Sequence, residues 1–388
     1  MLIVGGGPAG SAAAIRLAKA GRPITVIERS AGPTDKVCGD FLSAEAIETL
    51  HGLGLDLAAL SPAPIRRLRL VYAQAVAETK LPFPAFGLSR RVMDEALLGL
   101  AAASGAVIER GHAVRSIRAD RGRLLVRTEG VDDREAGTVF LATGKHDLRD
   151  LPRPGRAAGS VGMKMYLRLS AAQDAALGDA IELILFPGGY AGLQRVDGGR
   201  VVLCLTIVRD RLKEAGTHWS AVLRRLQAHS PHLAARLADA VPLLERPLAI
   251  AGTPYGFLYR PAPDAPTGLF RLGDQACVIP SLTGDGVSIA LHSGCLAADT
   301  WLARGNDAGA YHQRLRRDLL WQMRLASALQ TACVRPWVQA PLVALCRGWT
   351  ALPRVAARWT RLSGGRQPDK GVNGWRPRVA TAPAAPVQ

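Results

Sequence analysis

The sequence predicts an α/β fold in which a doubly wound dinucleotide-binding domain stands beside an antiparallel sheet and carries a helical C-terminal region. Three observations predict it. Residues 2–20 read as a buried aliphatic strand, a G-x-G-x-x-G turn and a helix rich in small residues. Residues 161–169, 180–186 and 201–208 alternate apolar and polar side chains at the period of a strand, and Gly188-Gly189 and Gly198-Gly199 mark turns. After Ala310 the apolar pattern becomes helical.

Each part of the opening has a physical task. Leu2-Ile3-Val4 reads as the end of a parallel strand. Gly5 permits a tight turn, Gly7 lets the backbone approach a pyrophosphate, and Gly10 lets the following helix pack closely on the strand. Pro8 and Ala9 lie within the same turn and count as cofactor contacts. The helix over 11–20 presents its first N–H groups to the phosphates, and Gly21-Arg22-Pro23 ends it. A second strand, 24–27, ends in Glu28, which stands 18 residues past Gly10. A carboxylate there accepts hydrogen bonds from ribose hydroxyls and disfavours a 2′-phosphate. Arg29 follows it at the same strand end. This half-motif does not separate FAD from NAD.

Composition excludes several classes. The six cysteines stand apart and form no C-x-x-C pair, so no zinc or iron–sulfur signature is present and no metal is expected. No run of ~18 uncharged apolar residues suggests a transmembrane helix. Only Met-Leu-Ile-Val precedes the glycine turn, so no signal peptide is expected and a cytoplasmic, reduced-thiol protein is the default. The net charge is +17, and from Trp301 onward 14 basic residues face three acidic ones. Trp321, Trp337, Trp349 and Trp359 stand among these arginines, and Pro336, Pro341 and Pro353 are expected to break the region into short helices. Such a region is either a cap with a solvated arginine-rich surface, or an interfacial face for anionic lipid or an acidic carrier protein. No nucleic-acid module is visible.

The nucleotide is chosen far downstream. A strand over 269–272 ends in Gly273-Asp274; a loop carries Pro280, Gly284 and Gly286; a helix follows over 287–296, starting at Val287. Asp274 suits a ribityl hydroxyl or a bridging water. The turn Thr283-Gly284-Asp285-Gly286 suits backbone N–H groups at a flavin edge, with the helix N-terminus behind N1–C2=O.

The pattern G-D-x-A-x-x-x-P-x-x-G-x-G, together with the N-terminal G-x-G-x-x-G, resembles the FAD-dependent superfamily of aromatic hydroxylases (p-hydroxybenzoate hydroxylase-like) and geranylgeranyl reductases, from residue 1 to about 300. Ser89-Arg90 followed by Asp94 is similar to the helix start beside the FAD phosphates. His112-Ala113-Val114 resembles the strand end that touches adenine, and Ala142-Thr143-Gly144 the one near the pyrophosphate. The resemblance implies a discontinuous FAD domain of glutathione-reductase type, with NAD(P)H as a transient electron donor. The Asp-Gly pair usual near the A-T-G position in hydroxylases is replaced by Lys145-His146-Asp147; Lys145 and Arg149 read as surface charges or as phosphate contacts. Lys36-Val37-Cys38-Gly39-Asp40 resembles the C-G motif of the reductase branch, which implies Cys38 and Gly39 near the flavin and Cys38 as a redox or proton-donating thiol; a small packed cysteine is the other reading. Asp40 and Phe41 depart from that motif. No W-x-W-x-[IV]-P occurs, which argues against a halogenase.

The expected organisation is an FAD domain from 1–62, 87–158 and 260–300, a substrate domain from 63–86 and 159–259 that includes an amphipathic helix over 220–240, a helical region over 301–375 and a disordered tail over 376–388. Lys164, Tyr166 and Tyr190 lie on substrate-sheet strands or turns, and alternation alone does not tell which face they take. The resemblance implies first an NAD(P)H- and O2-dependent monooxygenase acting on an aromatic or polyketide-like, lipophilic or carrier-bound substrate. The alternatives are a reductase of prenyl-lipid double bonds and a flavin-binding protein without turnover.

Overall fold

Ile3 and Val26 pack against helices while Leu2, Val4 and Ile27 face the other way, so the strands at the N-terminus are buried on both faces as a parallel sheet requires. The computed structural model describes residues 1–155 and 160–361. Its first sheet contains β1 (Leu2–Val4), β2 (Thr25–Glu28), β6 (Val107–Arg110), β10 (Val139–Leu141) and β18 (Leu269–Arg271), in the order β18-β10-β1-β2-β6, with all neighbours parallel. Helices α1 (Pro8–Lys19), α2 (Ala44–Leu53), α3 (Arg90–Ala103) and α8 (Gly286–Arg304) join one core with Ile3 and Val26. A small sheet of β7 (Val114–Asp120), β8 (Arg123–Thr128) and β9 (Arg134–Ala136) covers the other face through Ile117 and Val126.

The second large sheet runs β15 (Val241–Pro242), β11 (Ser160–Arg168), β14 (Val201–Ile207), β13 (Gly189–Arg195), β12 (Ala180–Phe186), β4 (Ala63–Tyr72), β5 (Ala75–Gly87) and β3 (Phe41–Leu42), with β16 (Leu248–Thr253) also on β11. It is antiparallel except where β12 pairs in parallel with β4. Strands β17 (Phe257–Leu258) and β19 (Cys277–Val278) form a separate pair. Helices α4 (Ala171–Leu177), α5 (Arg209–Glu214), α6 (Trp219–His229) and α7 (Pro231–Arg236) follow strands of this sheet, and Val222, Leu226 and Leu233 close its outer core. The chain then forms α9 (Ala308–Cys333), α10 (Pro336–Gly348) and α11 (Ala351–Trp359). No helix among the described residues is long and apolar enough to cross a membrane.

Several local expectations change for identifiable reasons. The helix expected over 220–240 is two helices, because the Ser230 hydroxyl accepts from Leu233 N–H and Pro231 occupies the first position of a new helix. Pro341 does not break α10, which passes through it, whereas Pro336 sits at the start of that helix where no N–H is needed. Phe41-Leu42, expected in the FAD domain, adds an edge strand to the substrate sheet through β5. The tail expected over 376–388 lies outside the described residues.

Glu182 is buried on β12, with Oε1 accepting from Arg69 and Arg236 and Oε2 2.9 Å from His232 Nε2. Burial opposes its charge, but His232 and Arg236 outweigh it and bring its pKa down to about 2 from the ordinary 4.5. A carboxyl lowered on folding stabilises the fold above pH 4.5 and loses that contribution as pH falls toward 2. Urea unfolding across this range should show a loss of about 3 kcal/mol that is absent in Glu182→Gln. An identical acid limb in both proteins would contradict the assignment.

Candidate FAD and substrate site

A single cavity of about 870 Å³ runs from the C-terminal ends of β1 and β2 to the inner sides of α10 and α11. Its volume is at the upper end of the range for small-molecule sites. Gly5, Gly7, Pro8 and Ala9 line one end. Gly5 has φ +106°, and a Cβ there would stand 2.4 Å from Ala142 O. No side chain caps α1 at Gly7, so its first-turn N–H groups are open toward the cavity. Gly10 lies beneath this lining, against Gly5 O. Glu28 also lines the cavity; its Oε2 accepts Gly6 N–H at 2.7 Å and its Oε1 accepts Ser30 N–H at 3.0 Å. Burial opposes its charge, yet the Lys36 charge and these N–H groups hold its pKa below the ordinary value. The carboxylate is thus fixed and ionised at the cavity wall. Glu28→Ala should weaken FAD binding by about 1–3 kcal/mol; an unchanged dissociation constant by fluorescence titration would remove Glu28 from the site.

Arg29, His112 and Val114 line the same end, with Arg29 Nη2 2.9 Å from His146 Nε2. Thr143, Gly144, Gly273 and Asp274 continue the wall. Gln275 ties two strand ends together, its Nε2 donating to Gly144 O and His146 O, and Ser293 Oγ accepts Gly273 N–H. Buried Arg153 donates to Asp147 Oδ1 and to Asp274 O. Arg90 lines the cavity and makes a two-pronged bond to Asp94, at 2.7 Å for each arm.

Cys38, Gly39, Gly284, Gly286 and Val287 also line the cavity, whereas Pro280 is buried and does not. The start of α8 has no side-chain cap, because Asp285 is engaged elsewhere: Arg361 donates to Asp285 Oδ1 and to Thr283 O. A second helix N-terminus therefore opens on the cavity. A Cβ on Gly144 or Gly286 would meet nothing within 4 Å, so both turns leave room for a bound group.

Two of the three substrate-pocket candidates fall elsewhere. Lys164 and Tyr166 share a face of β11, but that face lies beneath the loop carrying Cys38. Lys164 Nζ and Tyr166 OH each donate to Asp40 Oδ2 at 2.6 Å, and Lys164 also donates to Lys36 O. Asp40 adopts φ +57°, and Gln194 Nε2 donates to the carbonyls of Gly39 and Asp40. Asp40, a departure from the reductase motif, is therefore the anchor of the Cys38 loop. Tyr190 does line the cavity; its hydroxyl bonds to Ser281 Oγ, which donates to Tyr255 OH at 3.0 Å. Arg149 is exposed, whereas Lys145 lines the cavity and donates to Val37 O at 2.7 Å.

Sequence reading missed Asp40, Gln194, Tyr255, Ser281 and Arg361 as parts of the site. It also missed the far end, where Leu70, Ile181 and Leu183 of the sheet face Leu342, Leu352 and Ala356 of α10 and α11 across an apolar chamber. The long-range partners of these residues left no local signal.

Two uncapped helix N-termini, the fixed Glu28 carboxylate and a glycine-lined cleft opening into an apolar chamber fit FAD. Residues 1–139 match the family model described as FAD binding domain. Digeranylgeranylglycerophospholipid reductase 2 of Methanopyrus kandleri is 32% identical over 322 residues, covering 77% of this chain and 76% of that protein. Menaquinone reductase of Mycobacterium tuberculosis is 27% identical over 314 residues, covering 77% and 75%. A flavin-dependent brominase superposes with a TM-score of 0.76 at 18% identity, covering 92% of each chain, which is a likeness of fold. The chain belongs to the family of FAD-dependent oxidoreductases that includes the digeranylgeranylglycerophospholipid reductases.

Proposed function

We propose that the protein reduces carbon–carbon double bonds of a prenyl lipid, with NAD(P)H as the ultimate electron donor. The observation that carries this reading is the apolar chamber, continuous with the dinucleotide cleft and walled by Leu70, Ile181, Leu183, Leu342 and Leu352. Such a chamber suits a long branched hydrocarbon and excludes water from the reacting carbons. The names of the two reductase relatives point to the same substrate class. Bound FAD supplies hydride transfer to carbon. The chain orients the alkene and supplies the proton that completes its saturation. Cys38 is the candidate donor: it is half-buried, lines the cavity, and sits on a loop anchored by Asp40, Lys164 and Gln194.

The hydroxyl cluster of Tyr190, Ser281 and Tyr255 favours a second reading, monooxygenation of a phenol held by these groups. Turnover without oxygen separates the two. With a geranylgeranyl lipid under argon, product should be heavier by one hydrogen pair per double bond reduced. Cys38→Ser should lower that rate by roughly 10²–10⁴-fold while FAD content stays full. Wild-type product that forms only with oxygen and gains an oxygen atom would overturn the reductase reading; an unimpaired Cys38→Ser would remove Cys38 as the donor.

A further inference from the structure

Helices α10 and α11 have two apolar sides. Leu342, Cys346, Leu352 and Ala356 line the cavity, while Trp337, Leu345, Val355 and Trp359 point outward with relative exposures of 71%, 53%, 48% and 62%. Trp349, in the turn between the helices, is 60% exposed. Isolated exposed apolar residues are ordinary, but this many large ones on two consecutive short helices form a patch of the kind that marks an interaction surface. Their spacing is regular: Trp337, Pro341 and Leu345 succeed one another at one helical turn on α10, as do Val355 and Trp359 on α11.

The charge around the patch names its partner. Arg335, Arg347, Arg354 and Arg358 are exposed beside these residues, and no acidic residue occurs between Pro336 and Arg361. Arg354 and Arg358 repeat at the same helical turn as Val355 and Trp359, so arginine and apolar side chains run side by side along α11. The Arg335 guanidinium lies 5.7 Å from the Trp337 ring centroid. Tryptophan and leucine with flanking arginine, and with no acid, match the boundary between acyl chains and anionic headgroups.

We propose that the outer face of α10 and α11 docks on an anionic lipid bilayer, with its tryptophans at the headgroup boundary and its arginines on the phosphates. The inner sides of the same helices would then bring the apolar chamber against the bilayer, so that a lipid enters it without crossing water. That consequence rests on the proposed prenyl-lipid substrate; the docking does not, and its test uses vesicles without substrate.

The test is co-sedimentation of the full-length, FAD-loaded protein with phosphatidylcholine vesicles, with and without phosphatidylglycerol, over a salt series. Binding should require phosphatidylglycerol and fall as salt rises, leaving an apolar remainder. Arg354→Gln with Arg358→Gln should weaken binding about fivefold per arginine at low salt. Trp337→Ser with Trp359→Ser should abolish the salt-resistant remainder. Both variants change exposed residues, so flavin content and circular dichroism should match wild type. No sedimentation with anionic vesicles at low salt would overturn the proposal, as would binding that both double variants leave unchanged. A face covered by a second copy of the chain would give the first of these results.

Discussion

Gly10→Ala is expected to purify without FAD. A Cβ at Gly10 would lie 1.9 Å from Gly5 O and 3.1 Å from Ile3 Cγ2. Neither neighbour can retreat. Gly5 is pressed against the Ala142 carbonyl on its other side, and Ile3 lies in the centre of the parallel sheet. The helix must therefore move, but α1 is also held from behind, where a Cβ on Gly294 would stand 2.2 Å from Ala9 O. Overpacking of this kind costs about 1–3 kcal/mol in stability. The loss of FAD should be larger, because the displaced part of α1 is the turn that approaches the pyrophosphate. The ratio of flavin to protein absorbance reads the result, with urea unfolding to show that the chain still folds. A folded, stoichiometrically yellow Gly10→Ala would mean that the turn does not hold the cofactor.

Lys164→Met should cost about 3–5 kcal/mol, because it leaves the buried Asp40 without its cation. Burial pushes the Asp40 carboxyl upward, and Lys164 is the strongest force acting the other way. Tyr166 OH and the Arg90 N–H would remain as partners, but the Arg90 guanidinium is committed to Asp94 and acts on Asp40 only as a weaker, more distant charge. Lys164 also holds Lys36 O, so both ends of the segment from Lys36 to Asp40 lose a tether. The double variant Lys164→Met with Asp40→Asn should recover most of the loss, since asparagine tolerates the left-handed backbone at position 40 and removes the orphaned charge. Urea unfolding measures both. A single variant costing under ~1 kcal/mol would show that the pair does not anchor the loop.

The dinucleotide half of the site was legible because its parts are local. Gly5, Gly7, Gly10 and Glu28 lie within one strand–turn–helix–strand unit, and each residue type answers a backbone or phosphate requirement on its own. The second half depends on pairings that no window contains. Lys164 meets Asp40 across 124 residues, and Arg361 meets Asp285 across 76. Alternation left open which face Lys164 and Tyr166 take; the two share a face of β11, and only the position of the Cys38 loop decides what that face touches. The C-terminal tryptophans show the same limit. Their spacing suits a cap or an interfacial surface equally, and no window of sequence shows that the inner sides of α10 and α11 pack on the cavity while Trp337, Trp349 and Trp359 stand outside.

The central claim is that this chain holds FAD beside an apolar chamber in order to saturate a prenyl lipid. The most direct measurement is a single turnover without oxygen. The FAD-loaded protein is reduced under argon and mixed with a geranylgeranyl lipid that carries no quinone, while flavin absorbance and product mass are followed together. The account predicts that the oxidised flavin spectrum returns in the absence of oxygen and that the lipid gains one hydrogen pair per flavin reoxidised. A flavin that stays reduced with every prenyl lipid until oxygen is admitted, and then yields an oxygenated product, would contradict it.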